Sequence, residues 1–320
     1  MGGLMKIREY AAMASGNFVA LFKKVDIPQL PAAVACLIQE FNKEDPEIER
    51  LTEIISSDVE LSTKILRTVN SALYGLTNPV KSIHNGIMLL GLKSIRTIAL
   101  SYTMRASIPN PKKGLFDFEA FWTDSLLQAL LAQSLAARNW PKDKDEAFTA
   151  SLLSHLALPV LLCSWESFYA PIIEQWKESD KRLSEIERAD FGWDHAQASA
   201  WILKSWDFPA ELVGLVGAHN LTIEEIQQHG LEQTVALPIA TAALIPSVLR
   251  PCMTESKALI DAAIENFSMT RAEFSEMIQA LQEKFEDIRE LFGLNAGNTG
   301  SMLDSIQELC EPQPAEKTSS

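Results

Sequence analysis

An all-α fold is what this sequence predicts, and three observations carry the expectation. Apolar residues recur at three- and four-residue spacing in segment after segment. Helix caps and breakers (Asp, Ser, Gly, Pro) stand at the ends of those segments. No alternating apolar and polar run of strand length interrupts them, and no period marks a tandem repeat.

The first half reads as follows. Residues 1–22 give one helix and a connector: Ile7, Tyr10, Ala11 and Ala14 share a face, and Gly16 interrupts. The Met-Gly start is no myristoylation signal, because Lys6 stands where Ser or Thr is needed. The domain proper, residues 23–225, is stiffened at entry by Pro28 and Pro31, and Ala32 to Asn42 is helical with Val34, Leu37, Ile38 and Phe41 inward. Asp45-Pro46 offers a cap and a first-turn proline for a helix with Ile48, Leu51, Ile54 and Ile55. Asp58 caps a helix whose inner face is Leu61, Ile65, Leu66 and Val69. Gly75 and Pro79 follow it, and Ser82 caps a third helix that ends at Gly91 and has His84 in its first turn. Asn70 and Ser71, after the apolar helix, are expected to bond nearby backbone and shape the turn. Ile95 to Met104 makes a further helix, and Pro109-Asn110-Pro111 with Gly114 marks a connector, so two helical subdomains meet near residue 110.

In the second half, Phe116 to Arg138 is apolar nearly all round and should be the buried central helix. A helix from Asp145 to Leu158 follows, with Pro159 starting or kinking another, and Trp165, Phe168, Tyr169 and Trp176 supply core packing. Asp194 caps His195 to Trp206, where Ala196, Ala198, Ser199 and Ala200 permit close approach. Pro209 opens a helix that ends near His219. Residues 226–292 add C-terminal helices: an apolar one limited by Pro238 and Pro246, then Ser256 to Phe267 and Thr270 to Phe292. From Gly293 to the end the composition suits a disordered tail, although Met302, Ile306 and Leu309 could form a short docking helix.

At 47% hydrophobic over 320 residues, the chain can bury a large core. Its four cysteines, Cys36, Cys163, Cys252 and Cys310, lie apart with no metal or redox spacing and read as reduced thiols. No leader pattern opens the chain, and its most apolar run is too short for a bilayer. A cytoplasmic location without membrane contact is therefore expected. A net charge of −14 argues against nucleic acid as partner. The charge is uneven: residues 61–113 hold eight Lys and Arg and no Asp or Glu. Lys64, Arg67, Lys93 and Arg96 in that stretch are either neutralised by the protein's own acidic half or form an anion-accepting surface for a nucleotide or an acidic protein.

Several motifs add a resemblance. AsnSerAlaLeuTyrGly (residues 70–75), the Ser82-Ile83 helix ending LeuLeuGlyLeu (residues 89–92), ProGlnLeuPro (residues 28–31), Asp194-His195 and AspPheProAlaGluLeu (residues 207–212) leading to His219 together resemble the HDOD (HD-related output domain) family. The matches run in family order over about two thirds of the chain. The resemblance implies a degenerate HD-domain-like helical fold in a non-enzymatic bacterial signalling module whose partners are other signalling proteins. HD phosphohydrolases hold divalent metal with a His, an adjacent His-Asp pair and a later Asp. Carried onto this chain, those positions fall at Asp124, at Ser154-His155, and in the stretch 237–244, which has no carboxylate. His195 and His219 match additional histidines of the wider superfamily. The implied expectation is no catalytic residue, no cofactor and no metal. Asp124, His155, His195 and His219 are the residues to consider if metal is present. A metal-dependent phosphohydrolase acting on a nucleotide is the alternative. No phosphate loop, nucleophile elbow or Cys-His pair suggests other chemistry.

Overall fold

The computed structural model describes residues 6–7, 27–71, 73–111, 116–294 and 299–311. The expected N-terminal helix lies outside these apart from Lys6 and Ile7, which are helical. Among the described residues every regular element is a helix, apart from one isolated bridge between Ser247 and Arg250.

The first half holds α1 (Ala32–Phe41), α2 (Ile48–Ser56), α3 (Val59–Val69), α4 (Ile83–Leu90) and α5 (Leu92–Ser107). The side chain of Asp58 accepts from the Leu61 N–H, and that of Ser82 from the Asn85 N–H, as their capping roles require. Helix α2 starts later than the Asp45-Pro46 signal suggests. Its N-cap is Glu47, whose N–H donates to the buried Glu40 carboxylate at 3.1 Å, so α1 holds the entry. Gly75 adopts a left-handed φ of 58°. The Asn70 amide donates to the Leu66 and Val80 carbonyls and accepts the Val80 N–H at 2.7 Å, closing the loop between α3 and α4 as a local hydrogen-bond device.

Helix α6 (Phe118–Asn139), capped by Asp117, is the central helix; Leu126, Leu127, Leu130, Leu131 and Leu135 are wholly buried. Against it pack α7 (Lys144–Leu153), α14 (Ala236–Ala242) and α16 (Arg271–Arg289). Between and beyond them come α8 (Ala157–Ser164), α9 (Glu166–Lys177), α10 (Leu183–Phe191), α11 (His195–Ser205), α12 (Ala210–Ala218), α13 (Ile223–Gln228) and α15 (Met253–Phe267). A 3₁₀ turn (Glu290–Phe292) follows α16, and α17 (Thr299–Cys310) is the last helix. The segment Lys144–Ser164 is long and apolar enough to cross a membrane by composition, yet 83% of its most apolar stretch is buried inside the protein, as in a core segment.

Three further expectations need correction. Phe168, expected to supply core packing, is 71% exposed. The stretch Asp145 to Leu158 is not one helix: it breaks at residues 154–156 into α7 and α8. Pro159 has no N–H to offer the His155 carbonyl, which takes the Leu158 N–H at 3.0 Å instead, and the Ala157 N–H turns to the Ser199 hydroxyl. The tail is not disordered throughout. Residues 299–310 form α17, which buries Met302, Leu303, Ile306 and Cys310 against α15 and α16. An apolar face at helical spacing outweighs a polar composition once a neighbouring helix offers a surface.

The two halves meet at a polar seam between α5 and α7. Buried Asp145 accepts from the Ser94 hydroxyl at 2.6 Å and from the Gln133 amide at 2.9 Å. Thr97 donates to the Asp145 carbonyl and lies 2.7 Å from the Thr149 hydroxyl. At the far end of α5, Arg105 donates to the Phe292 and Gly293 carbonyls, and Tyr102 stacks on Phe292 at 4.7 Å.

Candidate functional site

Three buried or half-buried imidazoles converge in the second half. His155 sits in the α7–α8 break, His195 at the first position of α11, and His219 at the end of α12. The Nδ1 of His155 lies 2.9 Å from the Nε2 of His195, and the Nε2 of His219 lies 3.3 Å from that same atom. Local sequence explains each placement. The proline-directed break frees His155 from a helix face. Asp194 caps α11 by accepting from Ala196 and Gln197, and so fixes His195 in the first turn. The run LeuValGlyLeuValGlyAla (residues 212–218) lets α12 pack closely against α11 and bury His219 completely.

The outer nitrogens of the rings are all engaged. The Nδ1 of His195 donates to Glu187 Oε2 at 2.6 Å, and the same oxygen takes the His195 backbone N–H. The Nδ1 of His219 donates to the Val216 carbonyl at 2.7 Å. The Nε2 of His155 faces Gln128 Oε1 at 2.7 Å. Asn220 settles the inner atom of His195: its oxygen accepts from the Arg182 guanidinium, so its nitrogen donates to His195 Nε2 at 3.1 Å. Burial holds the His155 and His219 imidazoles well below their usual pKa, reinforced by the neighbouring rings. Burial also pushes the Glu187 carboxyl up, against the pull of His195.

A cavity of about 120 Å³ opens beside the cluster, with Gln128, His155, His195 and Asn220 in its wall together with Arg182 and Asp124. Asp124 does not join the imidazoles. Its carboxylate accepts from the Ser247 hydroxyl and from the Val248 N–H at 2.8 Å, and burial pushes its pKa up to about 7. The Ser154 hydroxyl donates to the Ala150 carbonyl within its own helix. No carboxylate stands on α14.

The four basic residues singled out from the sequence are distributed among acidic partners. Lys64 pairs with Glu60 at 2.6 Å, and Lys93 with Asp143 at 3.0 Å and Glu146 at 3.7 Å. Arg96 is half-buried with its charge facing Glu146 and Glu211. Arg67 shares a shallow groove with Asp287 and Glu290. Sequence reasoning named the three histidines and missed Gln128, Glu187, Asn220 and Arg182. Gln128 had left a signal, as one of two amides, with Gln133, breaking an apolar run on the central helix.

Comparison with known proteins was made on this framework. The HDOD domain model matches residues 27–221. Among solved structures, an HDOD domain protein of unknown function from Geobacter sulfurreducens superposes with TM-score 0.67 at 17% identity, covering 88% of this chain and 98% of its own. A Shewanella amazonensis SB2B protein, provisionally named a phosphohydrolase, gives 0.60 at 22% identity over 92% of this chain and 94% of its own. One from Marinobacter aquaeolei VT8, provisionally named a signal transduction protein, gives 0.56 at 17% identity over 97% of this chain and 67% of its own. The chain spans 38% and 15% of the lengths of the curated relatives it matches. At these identities the structural likeness establishes the shared helical fold.

Proposed function

This chain belongs to the HDOD family, and from that premise we propose that it is a non-catalytic regulatory module of signal transduction, acting through contact with other signalling proteins or by taking up a small anionic ligand. One observation carries the reading: among the described residues no carboxylate converges on the inner nitrogens of the histidines in the way hydrolytic HD chemistry needs. Asp124 is tied to Ser247 and Val248, Ser154 to its own helix, and α14 is apolar. The carboxylate that does touch the cluster, Glu187, is bound at the outer Nδ1 of His195, and among the described residues none groups with the inner nitrogens, where it would orient a metal-activated water and take its proton. The name of the Marinobacter neighbour agrees with a signalling role.

The competing reading is a phosphohydrolase. It draws on the Arg182 guanidinium in the cavity wall, a group suited to a phosphate, and on the name of the Shewanella neighbour. Turnover decides between them. The full chain supplemented with manganese, iron or zinc is assayed against a chromogenic phosphodiester and against cyclic dinucleotides. The expected rate equals that of the His195→Ala variant. A rate that His195→Ala abolishes replaces the regulatory reading with the hydrolytic one.

A further inference from the structure

The inner face of the histidine cluster has more lone pairs than protons. The Nε2 of His219 is fully buried, and its nearest polar neighbour is another acceptor, His195 Nε2, at 3.3 Å. His155 has an acceptor on each side, Gln128 Oε1 and His195 Nε2, and a neutral imidazole has one N–H. Turning the Gln128 amide would satisfy His155, but it would leave the His195 and His219 lone pairs facing each other. Two buried acceptors opposed at this distance repel unless a cation lies between them.

We propose that His155 Nδ1, His195 Nε2 and His219 Nε2 form a binding site for one divalent transition-metal ion, with the fourth position open to the cavity and the ion taking the His195 Nε2 lone pair that the Asn220 amide otherwise meets. Four geometric facts support the assignment. One ring nitrogen from each histidine lies within 4.8 Å of the other two. The 3.3 Å separation of His195 and His219 matches nitrogens bound to one ion, since zinc–nitrogen bonds of 2.0–2.1 Å place tetrahedral ligands roughly 3.3 Å apart, and the 2.9 Å pair of His155 and His195 needs to open by only about 0.4 Å to reach it. Each ring has an oxygen at its outer nitrogen: Gln128 Oε1, Glu187 Oε2 and the Val216 carbonyl. That arrangement fixes tautomer and ring orientation in metal-binding histidines. Glu187 also supplies a buried negative charge, and its second oxygen has no hydrogen-bond partner. Three imidazoles favour zinc, cobalt, nickel or copper over magnesium or calcium, which prefer oxygen. The site departs from the HD pattern, because it is built wholly of imidazole and excludes Asp124.

The test uses the full chain after chelator treatment. Zn²⁺ is titrated by calorimetry, and bound metal is counted by elemental mass spectrometry after desalting. One zinc per chain is expected, with a rise in Tm that Mg²⁺ does not reproduce. His195→Ala and His219→Ala should lose binding, while Glu187→Gln should keep the stoichiometry and bind about 10–100-fold more weakly. Circular dichroism checks that the variants remain helical. Should the histidine variants fail to fold, the wild-type Co²⁺ complex decides: a tetrahedral nitrogen-ligand spectrum supports the site, and a sulfur-to-cobalt charge-transfer band assigns the metal to cysteine and overturns it. Absence of stoichiometric zinc in the wild type, or unchanged binding in a folded His219→Ala, also overturns it. Metal binding without phosphoester turnover leaves the regulatory reading intact, and turnover would reject that reading while keeping the site.

Discussion

Asp124 shows how burial changes what a residue does. The sequence placed it where HD enzymes carry a ligand, and the fold turned it toward Ser247 and Val248. Its carboxyl titrates at about 7 in the folded protein, against 3.8 for an ordinary aspartate. As pH rises from about 4 to 7, the unfolded chain therefore releases this proton first, and stability falls across that window. The expected loss is on the order of a few kcal/mol. Chemical denaturation at pH 5 and pH 8 measures it. Asp124→Asn, neutral throughout, should flatten the fall, and an unchanged slope would place the proton elsewhere.

Helix ends were the part of the structure most readable from sequence. Asp58, Ser82 and Asp194 cap the helices they were expected to cap, because capping depends on a few neighbouring residues. The α7–α8 break was misread, and α17 was read only as an alternative to a disordered tail, because each depends on a distant partner: Ser199 for the first, and the α15 and α16 faces for the second. The histidines were found only through a resemblance, and Glu187 and Asn220 not at all, since nothing local distinguishes a glutamate that will end up buried beneath a histidine eight residues on. The α5–α7 seam belongs to the same class of long-range feature. Asp145→Ala should leave the Ser94 hydroxyl and the Gln133 amide buried with a lost partner, costing about 3 kcal/mol. Thr97→Val, which removes a hydroxyl but keeps the shape, should cost about 1 kcal/mol. Urea denaturation reads both, and equal costs would show that the carboxylate is not the hub.

At the scale of the whole molecule, charge and core depend on both halves of the chain. Arg96 lies beside Glu146 and Glu211 from the second half, and Arg67 shares its groove with Asp287 and Glu290, so acidic side chains distant in sequence stand near both arginines. The family match ends at residue 221, yet three of the helices that pack on α6, namely α14, α15 and α16, come after that point. A fragment cut to residues 27–221 should thus expose a continuous apolar surface on its central helix and sediment as aggregate, where the full chain stays dispersed; a monodisperse, helical fragment would contradict this. The clasp of Arg105 and Tyr102 on Phe292 and Gly293 has a consequence during synthesis. The first half has left the ribosome well before residues 292 and 293 are made, so α5 must wait with its last partner missing. Translation, on this view, delivers the first half before the turn that fastens it.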